Sequence, residues 1–294
     1  LAILTPAIQK DFALSDTGMG LLSGFTFALF YATLGIPIAM WADRSSRRNI
    51  LAFCLAIWAV MTALSGLAQN FWQLALARVG GGIGEAGGGP PSHSMISDLF
   101  PPHQRARALS VFSLGAAFGL VLGLLLGSQI AAVHGWRAAF FALGLPGVIL
   151  ALIVLTTVKE PARGGTDGGH AAAKPAPFFE VLRFMWGQRS LRHLLIGAPL
   201  LTMIATASAQ WLPSFLGRSH GMDLKEVGAY LALTFGVAGG LGTLCGGFLS
   251  DYLSRRDVRW GAWMIAGMSL VTVPFSLGIG LIDQTAVVLI LVPI

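Results

Sequence analysis

Apolar stretches of about 20 residues, the length needed to cross a hydrocarbon core of about 30 Å, recur along this chain from one end to the other. Eight complete spans are expected, near 18–41, 49–68, 71–97, 105–133, 137–158, 192–216, 225–253 and 260–282. A water-soluble fold is excluded, because 55% of residues are hydrophobic, only 11% are charged and mean hydropathy is +0.73. The opening LAILTPAIQK reads as the tail of an earlier helix and the closing TAVVLILVPI as the start of a ninth span. The fold class expected is an all-α membrane protein. Cys54 and Cys245 fall inside apolar spans as small hydrophobes, which argues for neither a disulfide nor a metal site.

The net charge of +6 suggests nucleic acid only until the 19 Lys and Arg are placed on the span map. Fourteen fall on one side: Arg44, Arg47, Arg48, Arg105, Arg107, Lys159, Arg163, Lys174, Arg183, Arg189, Arg192, Arg255, Arg256 and Arg259. Lys10, Arg137, Arg218 and Lys225 fall on the other, and Arg78 lies within a span. By the positive-inside rule the side with fourteen is cytoplasmic, so nucleic acid is not an expected partner. The expected location is a bacterial inner (plasma) membrane, with the basic loops and the central linker in the cytoplasm.

One long polar break, Gly- and Pro-rich, divides the hydrophobic pattern. It sets three expected regions: an N-terminal helical bundle over 1–158, a cytoplasmic linker over 159–190 and a C-terminal bundle over 191–294. Within the linker, FFEVLRFMW has the pattern of an amphipathic helix lying on the bilayer. The two bundles resemble one another: Asp43-Arg44-Ser45-Ser46-Arg47-Arg48 recurs 208 residues later as Asp251-Tyr252-Leu253-Ser254-Arg255-Arg256. Repeated bundles are the usual construction of secondary transporters, with substrate between them. By this repeat roughly 70 residues would follow the present C-terminus, and most of one helix would precede Leu1.

An Asp followed by a basic pair at the cytoplasmic end of a helix suits a gate. Asp43 and Asp251 can accept from backbone N–H groups or arginines, and Arg44, Arg47, Arg48, Arg255 and Arg256 can answer carboxylates or helix C-termini opposite. The bland alternative is that the arginines only fix topology. This pattern resembles the loop between the second and third helices of the major facilitator superfamily, Gly-x-x-x-Asp-Arg-x-Gly-Arg-Arg. The second copy keeps Gly247, whereas the first has Ala39 there and Ser46 in place of the loop Gly. The resemblance implies the major facilitator fold: two six-helix bundles, twelve helices in an intact protein, about eight of them complete here. Asp98, at the cytoplasmic end of the fourth-helix segment, lies within reach of the first arginine loop. A salt bridge to it is expected, and a charge swap between Asp98 and Arg47 is then expected to restore transport.

The stretch ALARVGGGIGEAGGGPP carries Arg78 and Glu85 inside a span, where charges are costly and functional by default. Seven residues put them on one helix face about 10 Å apart along the axis, so each should find its partner on another span. The alternatives are a proton-carrying carboxyl and a permanently paired structural charge. The glycines and Pro90–Pro91 imply close helix approach and a kink, and His93 beyond them reads as a packing residue. The Arg-x-x-x-Gly-x-Gly-Glu-Ala arrangement is similar to the fourth-helix motif of proton-linked facilitators, and a Glu at this place looks like the spinster-like branch. That resemblance implies proton-coupled movement of lysolipids or sphingoid lipids, with membrane lipids, a proton and an amphiphilic small molecule as partners. Sequences of that branch carry an Asp-Arg pair in the first helix, so a partner for Glu85 would precede Leu1.

Gly115, Gly119, Gly123 and Gly127 recur every four residues, the spacing of a helix-packing seam or a hinge. The stripe Thr202, Thr206, Gln210 and Trp211 suits either a cavity wall or interhelical hydrogen bonds. No His cluster or nucleophile motif supports a membrane enzyme, and no cofactor is implied. A proton-linked carrier of organic anions or sugars is the nearer rival, although its cavity usually adds cationic or amide side chains. The expected mechanism is that protonation of Glu85 frees an ionic partner and lets the bundles rock, with Arg78 holding the headgroup or the carboxylate. A single chain holding both bundles is expected to act as a monomer.

Overall fold

A computed structural model describes residues 1–164, 178–254, 256–257, 259–282 and 284–291. The side chains of 102, 103, 106 and several positions from 243 onward lie outside the description, among them Asp251 and Gly247. Arg255 is outside it entirely, so of the charged side chains in the second copy of the Asp-Arg pattern Arg256 alone is described. No strand occurs among the described residues.

After α1 (Thr5–Phe12), α2 runs Asp16–Arg44 through a π turn at Leu21–Phe25, and α3 spans Arg47–Ser65. The next expected span is broken into α4 (Phe71–Ala86) and α5 (Gly89–Leu99). Helix α6 (Pro102–Thr157) folds back at Gly135, whose φ of 82° and ψ of 163° lie outside the helical region. A Cβ added at Gly127 would meet Leu143 at 3.5 Å, so the two arms lie side by side as the two expected spans. Then come α7 (Phe178–Gly187), α8 (Arg189–Ser219), α9 and α10 (Trp260–Leu281). Helix α9 is a rod of Leu224–Leu233, a π turn at Thr234–Ala238 and Gly239–Ser254, and α11 (Thr285–Leu291) follows α10. Helices Asp16–Arg44, Arg47–Ser65, Arg107–Thr157 and Arg189–Ser219 are each long and apolar enough to cross a membrane. All eight expected spans coincide with helical rods or broken rods. The amphipathic linker helix also forms as α7, with none of its residues buried.

Polar residues at the turns set where these rods begin. Ser15, Ser46 and Asn70 each accept from the backbone N–H three residues on, at 3.1, 3.3 and 3.0 Å. Asp223 and Glu226 form a reciprocal capping box at the start of α9. The break between α4 and α5 falls at Gly87–Gly88, and Pro90 and Pro91 enter the first turn of α5, where a missing N–H costs nothing.

Close backbone approach holds α3, α4 and the second arm of α6 together. A Cβ at Gly84 would stand 2.5 Å from the Trp58 nitrogen and 2.7 Å from the Cys54 oxygen, and one at Gly144 would stand 2.6 Å from the Ala63 nitrogen. Backbone cannot move aside as a side-chain tip can. Gly84→Ala and Gly144→Ala are therefore expected each to cost about 1–3 kcal/mol, read as a lower melting temperature in detergent, while Gly115→Ala changes little.

That contrast bears on the four glycines expected as a packing seam or a hinge. Among the described residues a Cβ at Gly115, Gly119 or Gly123 would meet nothing within 4 Å, whereas one at Gly127 would meet Leu143 and Ile3. The reason is the way the residues before Thr157 meet those after Arg189. Contacts between the two parts join Thr5 to Gln210, Gln9 and Asp16 to Arg218, and Gly20 to Trp211. Deeper along α9, Gly228 sits on Ser128 and Gly236 on Val121. Further toward the basic loops, a Cβ at Gly240, Gly242 or Gly246 would again meet nothing within 4 Å among the described residues. Among the described residues the two parts thus form a V, joined at the end with the Gly135 and His220 turns and parted at the end with the arginine loops.

Candidate functional site

Helix α4 starts at its Asn70 cap and carries Arg78 and Glu85 two turns apart on one face. Both line a cavity of about 420 Å³, with Trp58 and Thr62 of α3, Gly119, Gly123 and Gly127 of α6 and the segment Leu1–Leu4. Glu85 also borders a smaller cavity of about 210 Å³ with Leu51, Leu55 and Trp58. The Glu85 side chain is exposed within this interior and makes no hydrogen bond or ion pair among the described residues. Arg78 lays its guanidinium over the Phe27 ring of α2, 4.7 Å from the centroid, and its Nε is buried without a hydrogen-bond partner among the described residues. The expected partner on another span is therefore an aromatic face for Arg78, and none is present for Glu85 among the described residues. All the described walls of the larger cavity belong to residues 1–147, so it lies inside the first part.

The polar stripe on α8 is not brought to these charges. The Thr202 hydroxyl donates back to the Ala198 carbonyl at 2.9 Å, the Gln210 amide donates to the Thr5 hydroxyl at 3.4 Å, and Trp211 packs against Gly20. Thr206 is exposed. Space between the two parts is instead an apolar crevice of about 460 Å³, walled by Leu114, Phe118 and Val121 on α6 and by Leu233, Gly236 and Val237 on α9. His93 packs edge-on against Phe112, centroids 5.5 Å apart, as a packing residue would.

At the arginine loop, Arg47 is buried and its guanidinium is shared. It pairs with Asp98, donates to Glu160 at 3.0 Å and to the Ser94 hydroxyl at 2.8 Å, and reaches the Pro161 carbonyl at 2.9 Å. Asp98 also accepts from the Gly164 N–H at 3.0 Å. Glu160 accepts from the Ser46 hydroxyl and from the Arg48 N–H, at 2.9 and 2.8 Å. Burial, the largest single influence on Glu160, opposes its ionisation, but the Arg48 N–H, the Arg47 guanidinium and the Ser46 hydroxyl together outweigh it and hold its pKa at about 2. Arg163 donates to the carbonyls of Ala42 and Ser45, both at 2.8 Å, at the C-terminus of α2. Residues 159–164, expected to begin a linker, are thus a strap fastened across the α2–α3 turn.

The other charges of this loop play no part in that network. Asp43 and Arg44 are exposed and make no hydrogen bond or ion pair among the described residues, and the Arg48 side chain turns to its neighbour Asn49. In the second copy Arg256 donates to the Tyr252 hydroxyl at 2.9 Å. Glu160 was legible as an acid at the end of a span on the arginine side, had the loop been matched to every acid sharing its face. Asp16, Gln9 and Arg218, joined across the opposite end, carried no motif.

The sequence profile of the Major Facilitator Superfamily matches residues 1–294. Among curated proteins the chain is 36% identical over 94% of its length to an MFS-type efflux pump of Mycolicibacterium smegmatis, and 29% identical over 92% to protein spinster of Drosophila melanogaster. It spans 63% and 46% of those proteins' own lengths. Its fold superposes with a TM-score of 0.78 and 33% identity on the crystal structure of a bacterial homolog of the human lysosomal transporter spinster, in an inward-facing, unoccupied conformation, covering 99% of this chain and 66% of that one. The family is one of transporters rather than enzymes, embedded in membranes and binding small molecules. Its profile over the whole chain, with the spinster fold matched from end to end, makes this chain a member of the Major Facilitator Superfamily, in its spinster-like branch.

Proposed function

We propose that this transporter is proton-coupled and moves lysolipid or sphingoid amphiphiles by alternating access of two bundles, 1–158 and 191–294, joined by the linker 159–190. Glu85 carries the reading. An intramembrane carboxyl that lines an interior cavity, beside a cation committed to an aromatic ring, is free to gain and lose a proton. Arg78, with an unsatisfied buried nitrogen, is the group to receive an anionic headgroup. The crevice between α6 and α9, whose described walls are apolar residues, suits a hydrocarbon tail better than a sugar.

With the basic loops cytoplasmic, the V opens to the cytoplasm, the state in which the bacterial spinster homolog was solved. Asp43, Arg44, Arg48 and Arg256, with Asp251 and Arg255, are then the charges that close that side, while the Arg47–Asp98–Glu160 knot keeps the first bundle rigid. A bacterial plasma membrane is the proposed location, and the monomer the working unit, since both bundles sit in one chain.

Proteoliposomes loaded with a lysophospholipid, a sphingoid base or a sugar acid, then given a pH jump, test this. Efflux of the amphiphile that follows the gradient and collapses with a protonophore is the expected result. Movement of the sugar acid alone would overturn the substrate, and movement of any substrate without a response to pH would overturn the coupling.

A further inference from the structure

We infer that Arg218, Asp16 and Gln9 form the latch that holds the two bundles closed at the end opposite the arginine loops. The Arg218 guanidinium straddles the Asp16 carboxylate, at 2.8 Å from Nη2 and 3.0 Å from Nη1, and Nη2 also reaches the Gln9 carbonyl oxygen at 2.6 Å. The Gln9 amide completes the ring by donating to Asp16 at 2.8 Å. Arg218 belongs to the second bundle, at the end of α8; Gln9 and Asp16 belong to the first, on α1 and at the first position of α2. Four basic residues lie at this end, and their uses differ. Arg137 spends its donors within its own bundle, on Asp11 at 2.6 Å and the Ala68 carbonyl at 3.1 Å, whereas Arg218 crosses from one bundle to the other.

Each partner is already favoured where it stands. Asp16 sits in the first turn of a helix capped by Ser15 and Arg218 in the last turn of another, so each complements its own helix dipole and arrives at the joint pre-placed. The bidentate geometry adds direction, since the fork meets the carboxylate only when α8 and α2 hold one orientation. Beneath it the apolar contact of Leu216, Leu231 and Leu124 seals the joint. The latch itself is light: its side chains are 49% and 61% exposed, and such pairs stabilise by small factors. A light latch suits a joint that must part in every transport cycle.

This rests on the alternating-access reading but not on the substrate or on proton coupling. Spin labels at Gln69 and Lys225, exposed positions on the two bundles at this end, would report the separation by double electron–electron resonance, with Cys54 and Cys245 replaced by Ala. Arg218→Gln and Asp16→Asn are each expected to raise the ratio of separated to closed populations about 3- to 10-fold. Arg218→Lys should raise it less, and the swap Asp16→Arg with Arg218→Asp should return it toward the starting value. An unchanged ratio in both single variants, eluting as folded protein, overturns the latch, as does a swap no better than the singles. If the separation never changes in any variant, at any pH or with any substrate, alternating access itself fails.

Discussion

Glu85→Gln is expected to abolish proton-driven accumulation while leaving substrate exchange intact. Glutamine has the shape of the protonated acid and cannot change charge, so the transporter is held in one protonation state. A coupling free energy between two ligands is typically worth 5- to 150-fold in affinity. Loss of it should therefore flatten the dependence of substrate affinity on pH by about one to two orders of magnitude. Counterflow, with substrate on both sides and no pH gradient, needs no net proton movement and should persist. The structure separates this from a packing role, because Glu85 makes no hydrogen bond or ion pair that glutamine would lose among the described residues. Melting of Glu85→Gln in detergent should accordingly stay within about 0.5 kcal/mol of the parent. Unchanged pH dependence of transport would overturn the role of Glu85, and a large drop in melting would make it a structural charge. Arg78→Gln makes the companion case: with the guanidinium gone from the Phe27 face, KM for an anionic amphiphile should rise.

How much of this was legible beforehand divides along one physical line. Periodic information was readable: a run of apolar residues must be a helix in lipid, because no water satisfies its backbone. The break at Gly87–Gly88 and the placement of Arg78 and Glu85 on one face follow from the same local rules. What stayed hidden depends on which helices meet. Gly115, Gly119 and Gly123 have the spacing of a packing seam or a hinge, yet spacing cannot say whether a neighbour stands opposite, and among the described residues none does in the parted arm of the V. Thr202 and Gln210 suited either a cavity wall or interhelical hydrogen bonds; Gln210 donates across to Thr5, whereas the Thr202 hydroxyl donates back to its own turn at Ala198, as a hydroxyl on a helix can. Glu160 and Arg163 lay beyond the last residue of a span, where composition alone says linker. Their strap is created by the fold bringing that span's end beside the α2–α3 turn.

Removal of Arg47 is expected to destabilise the first bundle by about 3 kcal/mol or more, and the charge swap with Asp98 is expected not to rescue it. Arg47 is 1% exposed and answers two carboxylates at once, with a hydroxyl and a carbonyl completing its donors. Breaking a buried pair by deleting one partner typically costs 3–5 kcal/mol, since the remaining charge is left uncompensated; here two are left. Arg47→Met should therefore lower the melting temperature in detergent more than Arg48→Met, whose side chain bonds only to Asn49. The swap suggested by a simple pair fails on this geometry, because Arg47→Asp sets a new carboxylate against Glu160 while Asp98→Arg leaves the Gly164 N–H without its acceptor. Adding Glu160→Gln to the swap removes that repulsion and is expected to recover part of the loss. The same knot fixes an acid limit. Glu160 has a pKa of about 2 in the folded protein against an ordinary value of 4.5, so its contribution is fully present above about pH 4.5 and is lost as pH falls toward 2. Glu160→Gln should thus flatten the stability curve between those values and leave its neutral-pH shape unaltered. A melting profile of Glu160→Gln that keeps the parent's full acid dependence would show that the strap is held by contacts other than this carboxylate.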